Sequence, residues 1–392
     1  MMLDALSLTT RRSSKLSDIA DLNPRLKRKP APDTYVSFVP MAAVSSETGT
    51  IIEEEKRVYA DVDKGYTPFE KGDILVAKIT PCFENNKIAQ ANLSSRLGFG
   101  STEFHVIRAH PTCADPRYLL HFLRQDQIRA DGQRKMTGSA GQRRVPEHFL
   151  ANLEIPLPPL PEQRRIAAIL DQADALRAMR RAALAKLDEM AQAIFVEMFG
   201  DPVRNSRAFP ITSVKRLGRV QTGSTPPSSR EGMFGGSVPF VTPGDLGSGE
   251  PARRTVTDEG AAASRVVRAG ATLVCCIGAT IGKMDKARER SAFNQQINAI
   301  EWASSVNDDY GYYALTFFKR KIASDGASTT LPILRKSLFE KIEIPVPEWC
   351  RQNEFSKRVK AIEELNSIQR FQLMEEESLF ASLQYDAFRG EL

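Results

Sequence analysis

The sequence predicts an α+β chain. Two α/β globular halves are separated by two long antiparallel, coiled-coil-like helices, and a pseudo-twofold internal repeat relates the halves. Three observations predict this. A segment near the middle of the chain recurs near its end at one fixed offset. In both places a proline-rich stretch opens a long run of near-heptad apolar spacing. Ahead of each run lie short apolar stretches bounded by polar turns, the pattern of strands without a regular βαβ alternation.

The repeat comes first because it organises the rest. Leu153 to Pro158 reads LEIPLP and Ile342 to Pro347 reads IEIPVP. A shift of 189 residues places Glu154 on Glu343, Pro156 on Pro345, Pro158 on Pro347 and Gln163 on Gln352. The same ungapped shift places Leu176 on Leu365, Leu184 on Leu373, Met190 on Leu379 and Phe199 on Phe388. Upstream, Val36–Pro40 resembles Val238–Thr242 and Lys71–Val76 resembles Ala269–Val274. There the offset drifts, as insertions in loops produce.

The two helices follow the prolines. Pro161 suits a first helical turn, and Glu162 suits the positive helix end. Ile166, Ile169, Ala173, Leu176, Ala183, Leu187, Met190 and Ile194 then keep near-heptad spacing, interrupted at Arg180. Gly200-Asp201-Pro202 ends the run. The second helix is predicted from about Gln352, with Phe355, Ile362, Leu365, Leu379 and Leu383 at matching places. About 38 helical residues reach roughly 57 Å, which is long for a compact domain. Two such helices in matched register bury each other when packed antiparallel, an arrangement preferred to two separate core helices. In the globular halves, Asp73–Ile79 and Thr272–Ile277 read as buried strands. Tyr118–Ile128 and Tyr310–Ile322 read as one amphipathic helix each.

Composition narrows the function classes. The chain has 392 residues, 42% hydrophobic and 26% charged, as in a folded globular protein. No apolar run is long enough to span a bilayer, and Met1–Leu8 lacks the pattern of a secretory signal. The five cysteines, an odd number at irregular spacing, argue against a disulfide framework, and Cys275 and Cys276 read as core. Net charge is +6 and the pI about 9.0, which suggests a polyanionic partner. Residues 162–201 and 351–392 together carry −3, so the globular halves carry +9. Positive charge therefore sits where nucleic acid would be read.

Catalytic motifs fail on inspection. Gly278–Lys283 resembles a phosphate loop, but three residues separate its glycines and Met284 replaces the magnesium-holding Ser or Thr. Pro32-Asp33 with Glu54-Glu55-Lys56 loosely fits a metal-dependent nuclease, yet lies in a charged stretch that reads as a solvated loop. The pairs Pro158-Pro159 and Pro226-Pro227 lack the amide or acid and the aromatic of an adenine methyltransferase loop. His105, His110, His121 and His148 show no metal-ligand spacing, and neither a CxxC pair nor a G-x-S-x-G elbow occurs. No catalytic centre and no metal site is predicted.

The DNA-binding candidates cluster in segments. Arg25, Lys27, Arg28 and Lys29 form one basic patch. Arg124–Arg144 forms another, with Arg134 and Lys135 ahead of the glycine-rich run Thr137–Gln142 that includes Ser139. Arg143 and Arg144 follow it. Such a loop suits a DNA groove: backbone amides and cations hold phosphates, while Gln142 or Arg143 reaches base edges. The second half offers Thr280 and Lys283 within Gly278–Lys283, then Lys286, Arg288 and Arg290. Ser328-Thr329-Thr330 precedes Arg335 and Lys336.

These residues carry a family resemblance. Leu157–Ile166, the helix after it and Phe195–Pro202 closely resemble the central conserved region of type I restriction-modification specificity subunits. Leu379–Leu392 resembles the distal conserved region, and Lys78–Ile88, which includes Lys87, resembles a common segment of the recognition domains. The resemblance implies target-recognition domains at 1–158 and 204–347, a central helical spacer at 159–203 and a C-terminal one at 348–392. It implies a non-catalytic cytoplasmic subunit that reads a split site in double-stranded DNA. Ile166, Leu176, Leu187, Ile194, Phe199, Leu365, Leu379, Leu383 and Phe388 would form the spacer and partner-docking helices. Two methyltransferase subunits would bring S-adenosylmethionine, and restriction subunits would bring ATP and magnesium, with no cofactor in this chain. One departure concerns Pro345-Val-Pro347-Glu348-Trp349, which lacks the Pro-Pro-Leu of the first half and leaves the second helix start open. The alternatives are a DNA-binding regulator or a divergent restriction enzyme or methyltransferase with its own activity.

Overall fold

The computed structural model describes residues 13–139, 141–227, 229–278, 280–326 and 333–392. The chain forms two units: Met1–Arg181 with Leu373–Leu392, and Ala182–Gln372. The two long helices, Leu160–Phe199 and Trp349–Arg389, each contribute residues to both units.

Unit 1 contains β1 (Ser13–Lys15), β2 (Ala20–Leu22), β3 (Tyr35–Val39), β4 (Glu55–Val58), β5 (Thr67–Glu70), β6 (Ile74–Ala77), β7 (Ile88–Gln90), β8 (Leu97–Gly100), β9 (Phe104–Ala109) and β10 (Glu154–Pro156). They form sheets in the orders β2-β9-β6-β7 and β4-β3-β8-β5, plus a ribbon β1-β10. Unit 2 contains β11 (Ile211–Ser213), β12 (Gly218–Thr222), β13 (Phe234–Val241), β14 (Thr255–Val256), β15 (Val266–Val267), β16 (Thr272–Cys275), β17 (Met284–Lys286), β18 (Ser291–Phe293), β19 (Ile297–Trp302) and β20 (Glu343–Pro345). Its orders, β12-β19-β16-β17, β14-β13-β18-β15 and β11-β20, repeat those of unit 1 strand for strand. One parallel pair recurs in each, β3 with β8 and β13 with β18. The repeated LEIPLP and IEIPVP segments become the ribbon strands β10 and β20, where Ile155 and Ile344 are fully buried.

The predicted strands appear as the fully buried β6 and β16. The predicted single helices are corrected, since each is two. In unit 1 they are Pro116–Leu123 and Asp126–Lys135, separated where Gln125 turns extended. That break lets Arg124 reach inward to the carbonyl oxygens of Ile88, at 3.0 Å, and Glu47, at 2.7 Å. In unit 2 they are Asp308–Thr316 and Lys319–Gly326, with a tight turn from Phe318 N–H to Leu315 O between them. The turn sends Phe318 into the core and lays Phe317 against Phe195.

Each long helix is locked to its module in the same way. Gln163, fully buried, accepts from the Asp115 N–H and donates to Cys113 O and Pro158 O. Gln352, also fully buried, accepts from the Asn307 N–H and donates to Ser305 O and Pro347 O. Asp115 and Asn307 are the N-caps of the module helices, and three residues on Tyr118 and Tyr310 donate to Pro156 O and Pro345 O. The second long helix starts at Trp349, three residues before Gln352.

The helices pack antiparallel within each unit. In unit 1, Arg181 meets Glu377 at 2.6 Å, Arg180 meets Glu376 at 2.6 Å, and the Arg177 guanidinium lies 3.5 Å from the Phe380 ring centroid. In unit 2, Asn366 meets Asp188 at 3.2 Å, and Phe355 packs on Phe195. The seam corrects the heptad expectation. Arg180 lies in the seam rather than interrupting it, while Leu176, Leu365 and Leu379 are exposed. Apolar burial is concentrated where the helices touch the modules. Ile166 and Phe199 are buried, and Leu187, Ile194, Leu383 and Phe388 are partly buried against the cores. Gly200, at φ +73°, caps the first helix as its composition predicts.

Candidate nucleic-acid interface

In unit 1 the glycine-rich run is a loop mounted on the end of β6. Thr137 and Ile79 both bridge to Arg144, the Val145 N–H donates to Lys78 O, and the Thr80 N–H donates to Arg143 O. Gly138 sits at φ +130°, where an added Cβ would lie 2.5 Å from Gln142 O, so this turn requires glycine. Arg144 anchors the base of the loop. Its guanidinium grips Glu103 with two bonds of 2.7 and 2.9 Å, and those bonds hold the Glu103 carboxyl below its ordinary range despite burial. Beneath them His105 bonds Val145 O at 2.9 Å, and burial lowers its pKa. The tip, Ser139, Gln142 and Arg143, is exposed.

Unit 2 builds the matching scaffold on β16. Ile277 bridges to Ile333, and the Leu334 N–H donates to Cys276 O, as Val145 does to Lys78. The turn between β16 and β17 passes through Gly278 and Gly282, both at φ +84°, and exposes Thr280 beside a partly buried Lys283. The Lys283 N–H closes this turn on Thr280 O at 3.0 Å. Ser328-Thr329-Thr330 lies outside the described residues. Arg335, exposed, caps the short helix Lys336–Phe339, and Lys336 pairs with Glu340 at 3.6 Å.

The structure separates the basic candidates by what already holds them. Lys87 donates to Met41 O and Val44 O, both at 3.0 Å, so its charge fastens a loop. Arg124 is buried enough that its pKa falls to about 10. Arg134 pairs with Asp131, and Lys29 with Asp63. Lys135 and Arg143 are exposed and have no ion-pair partner among the described residues. Lys286 is mostly buried and pairs with Asp309 and Glu363. The loosely nuclease-like Glu54 bonds Ser37 Oγ on β3 and the Ser94 N–H and hydroxyl in the loop between β7 and β8.

The long helices present a second feature. Leu176 and Leu365, Met179 and Ile368, Met190 and Leu379, and Val196 and Tyr385 are pairs at the 189-residue offset. All eight are between 42% and 61% exposed. Each unit carries one member of every pair, so the repeat duplicates an exposed apolar surface that neither core explains. Sequence reasoning expected Leu176, Met190, Leu365 and Leu379 to be buried and made nothing of the other four. It aligned Gln163 with Gln352 without assigning them work, and the recurrence of Tyr118 and Tyr310 was a signal it did not use.

The profile of the type I restriction modification DNA specificity domain matches the chain twice, over residues 11–188 and 211–376. The chain is 43% identical over 152 residues to the EcoAI type I restriction enzyme specificity subunit of Escherichia coli, covering 38% of this chain and 26% of that one. It is 41% identical over 152 residues to the EcoEI specificity subunit of the same organism, covering 38% and 25%. These matches span about a quarter of the length of those relatives. The crystal structure of a type-I restriction-modification system S subunit from M. genitalium shares the fold over 98% of both chains, with a TM-score of 0.56 at 15% identity. No helix among the described residues is long and apolar enough to cross a membrane.

Proposed function

The chain belongs to the type I restriction-modification DNA specificity family, and from that premise we propose that it is the non-catalytic DNA-reading subunit of such a complex. Unit 1 reads one half of a split double-stranded site and unit 2 the other. Lys135, Arg143 and the backbone of the Gly138–Gln142 turn hold phosphates, and Gln142 and Arg143 reach base edges. Thr280, Lys283 and Arg335 do the corresponding work in unit 2. Arg144 and Lys87, held by Glu103 and by backbone carbonyls, shape the loops, and Lys78, whose backbone alone is bonded among the described residues, adds a phosphate contact. The subunit acts in the cytoplasm, where its DNA is.

The long helices are the spacer and the dock. The observation that carries this reading is the duplicated exposed apolar surface on them. Two equivalent surfaces suit two copies of one partner, which we take to be the methyltransferase subunits. Those subunits supply S-adenosylmethionine and flip the target adenine into their own pockets. Restriction subunits supply ATP and magnesium chemistry. The test is a methylome: the chain is co-expressed with its neighbouring methyltransferase in a methylation-free host, and N6-methyladenine is mapped. A split motif with a fixed gap, lost when this chain is omitted, is the expected result. A stable complex that leaves no split motif overturns the reading.

A further inference from the structure

The two buried glutamines do more than fill space. A glutamine amide offers two donors and one acceptor oxygen, and Gln163 and Gln352 use all three functions on backbone groups. In each unit the acceptor takes the N–H of the module helix N-cap. One donor closes on the chain just before that cap. The other closes on the proline carbonyl that opens the long helix. The tyrosine three residues beyond the cap adds a second strut, to a proline two residues earlier, at 2.8 Å from Tyr118 and 2.6 Å from Tyr310. Both struts therefore join the same two pieces: the module's helix and the strand-to-helix transition. Two separated hydrogen-bonded points prevent the long helix from swivelling against its module. Both glutamines are fully enclosed, so neither can touch DNA.

We propose that Gln163 and Gln352 are positioning residues that set the gap between the two half-sites without reading any base. The inference rests on the functional reading above. If the helices are the spacer, the angle at each module-to-helix joint decides where each reading loop is presented along the duplex. Loosening a joint then widens the range of gaps accepted and leaves the sequence of each half-site intact.

The test compares methylomes of the full complex carrying wild-type chain, Gln163→Met, Gln352→Met and the milder Tyr118→Phe. Methionine keeps the volume and removes the three bonds. Methylation at sites whose gap differs by one base pair is expected to rise about tenfold over wild type in either glutamine variant, the scale of losing one or two net hydrogen bonds. Half-site discrimination should stay unchanged. Tyr118→Phe removes a single hydroxyl, is the variant surest to assemble, and is expected to shift the same ratio in the same direction by less. A strict gap in the variants that assemble, Tyr118→Phe included, overturns the inference. So does a relaxed half-site sequence with a strict gap. A wild-type methylome without any split motif overturns the functional reading and this inference with it, and is distinguishable from both.

Discussion

In unit 1 the module helix meets the long helix through Arg117 and His121, which both bond Asp171, His121 at 2.7 Å. At the matching places of unit 2 the signs reverse. The residue 189 beyond Asp171 is Lys360, and the second residue after the N-cap is Asp309 where unit 1 has Arg117. Asp309 takes its cation from elsewhere, from Lys286 on β17, which also bonds Glu363 at 2.6 Å, while the Ser356 hydroxyl donates to its other oxygen at 2.6 Å. The glutamine and tyrosine struts around these charges are unchanged. The difference has a physical reason. A side chain that bonds backbone faces a partner no substitution can alter, so its identity persists through duplication. A side chain that bonds another side chain needs only complementarity inside its own unit, and the pair is free to change sign.

The comparison breaks most sharply at Lys286. Its side chain is 19% exposed, and Lys286→Met leaves Asp309 and Glu363 without their cation. Removing one partner of a mostly buried pair costs about 3–5 kcal/mol, and the residual exposure favours the lower end. Denaturant unfolding of the full chain should show that loss, and hydrogen exchange should place it in unit 2 with unit 1 protected as before. Lys286→Met with Glu363→Met should recover only part of it, because the stranded charge of Glu363 is removed while Asp309 stays without its cation. Equal loosening of both units would show that the charge networks are not local to their units.

How far the sequence could reveal these features follows from the same distinction. The repeat, the long helices, β6, β16 and the glycine turn at Gly138 were legible because each leaves a periodic or compositional trace. The burial of the helix faces was not. Near-heptad spacing reports that Leu176, Leu365 and Leu379 are apolar, and says nothing about which surface covers them. A seam held by Arg180, Glu376 and an arginine stacked on Phe380 looks like an interruption when read as a heptad. In the candidate interface, charge density marked segments and not single side chains. It could not separate Lys87 and Arg124, whose charges are satisfied by carbonyls distant in sequence, from Lys135 and Arg143. The helix break at Gln125 was hidden for the same reason, since the contact that rewards it is made by Arg124 across the fold.

A smaller effect sharpens the contrast through pH. Burial alone would raise the Asp171 pKa, but the bonds from His121 and Arg117 outweigh it and bring the carboxyl down to about 2. A depressed carboxylate stabilises the fold above its unfolded pKa of about 3.8 and loses that contribution as pH falls toward 2. Burial works against the Lys286 charge too, yet Glu363 and Asp309 raise its pKa on balance, so its contribution is complete below the ordinary 10.5 and disappears only above it. The destabilisation caused by Asp171→Asn should therefore shrink between pH 6 and pH 3. That caused by Lys286→Met should shrink in alkali, as Lys286 loses its proton, and also in acid, as Glu363, whose pKa burial raises, takes one up. Urea unfolding of both variants and wild type across that range checks the signs, and an Asp171→Asn effect that stays undiminished at pH 3 would contradict them.

The smallest expected effect lies in the helix seam. Unit 1 joins its helices with Arg181 and Glu377, 29% and 46% exposed, where unit 2 uses Asn366 on Asp188. An exposed pair gains little over its hydrated, mobile parts, about 0–1 kcal/mol, and salt screens what remains. Arg181→Ala should lower the thermal midpoint slightly in dilute buffer and not at all near 1 M salt, whereas Asn366→Ala should give a small effect that salt leaves alone. A salt-independent loss at Arg181 would mean that the arginine stem packs into the seam, and that unit 1, like unit 2, holds its helices by something other than charge.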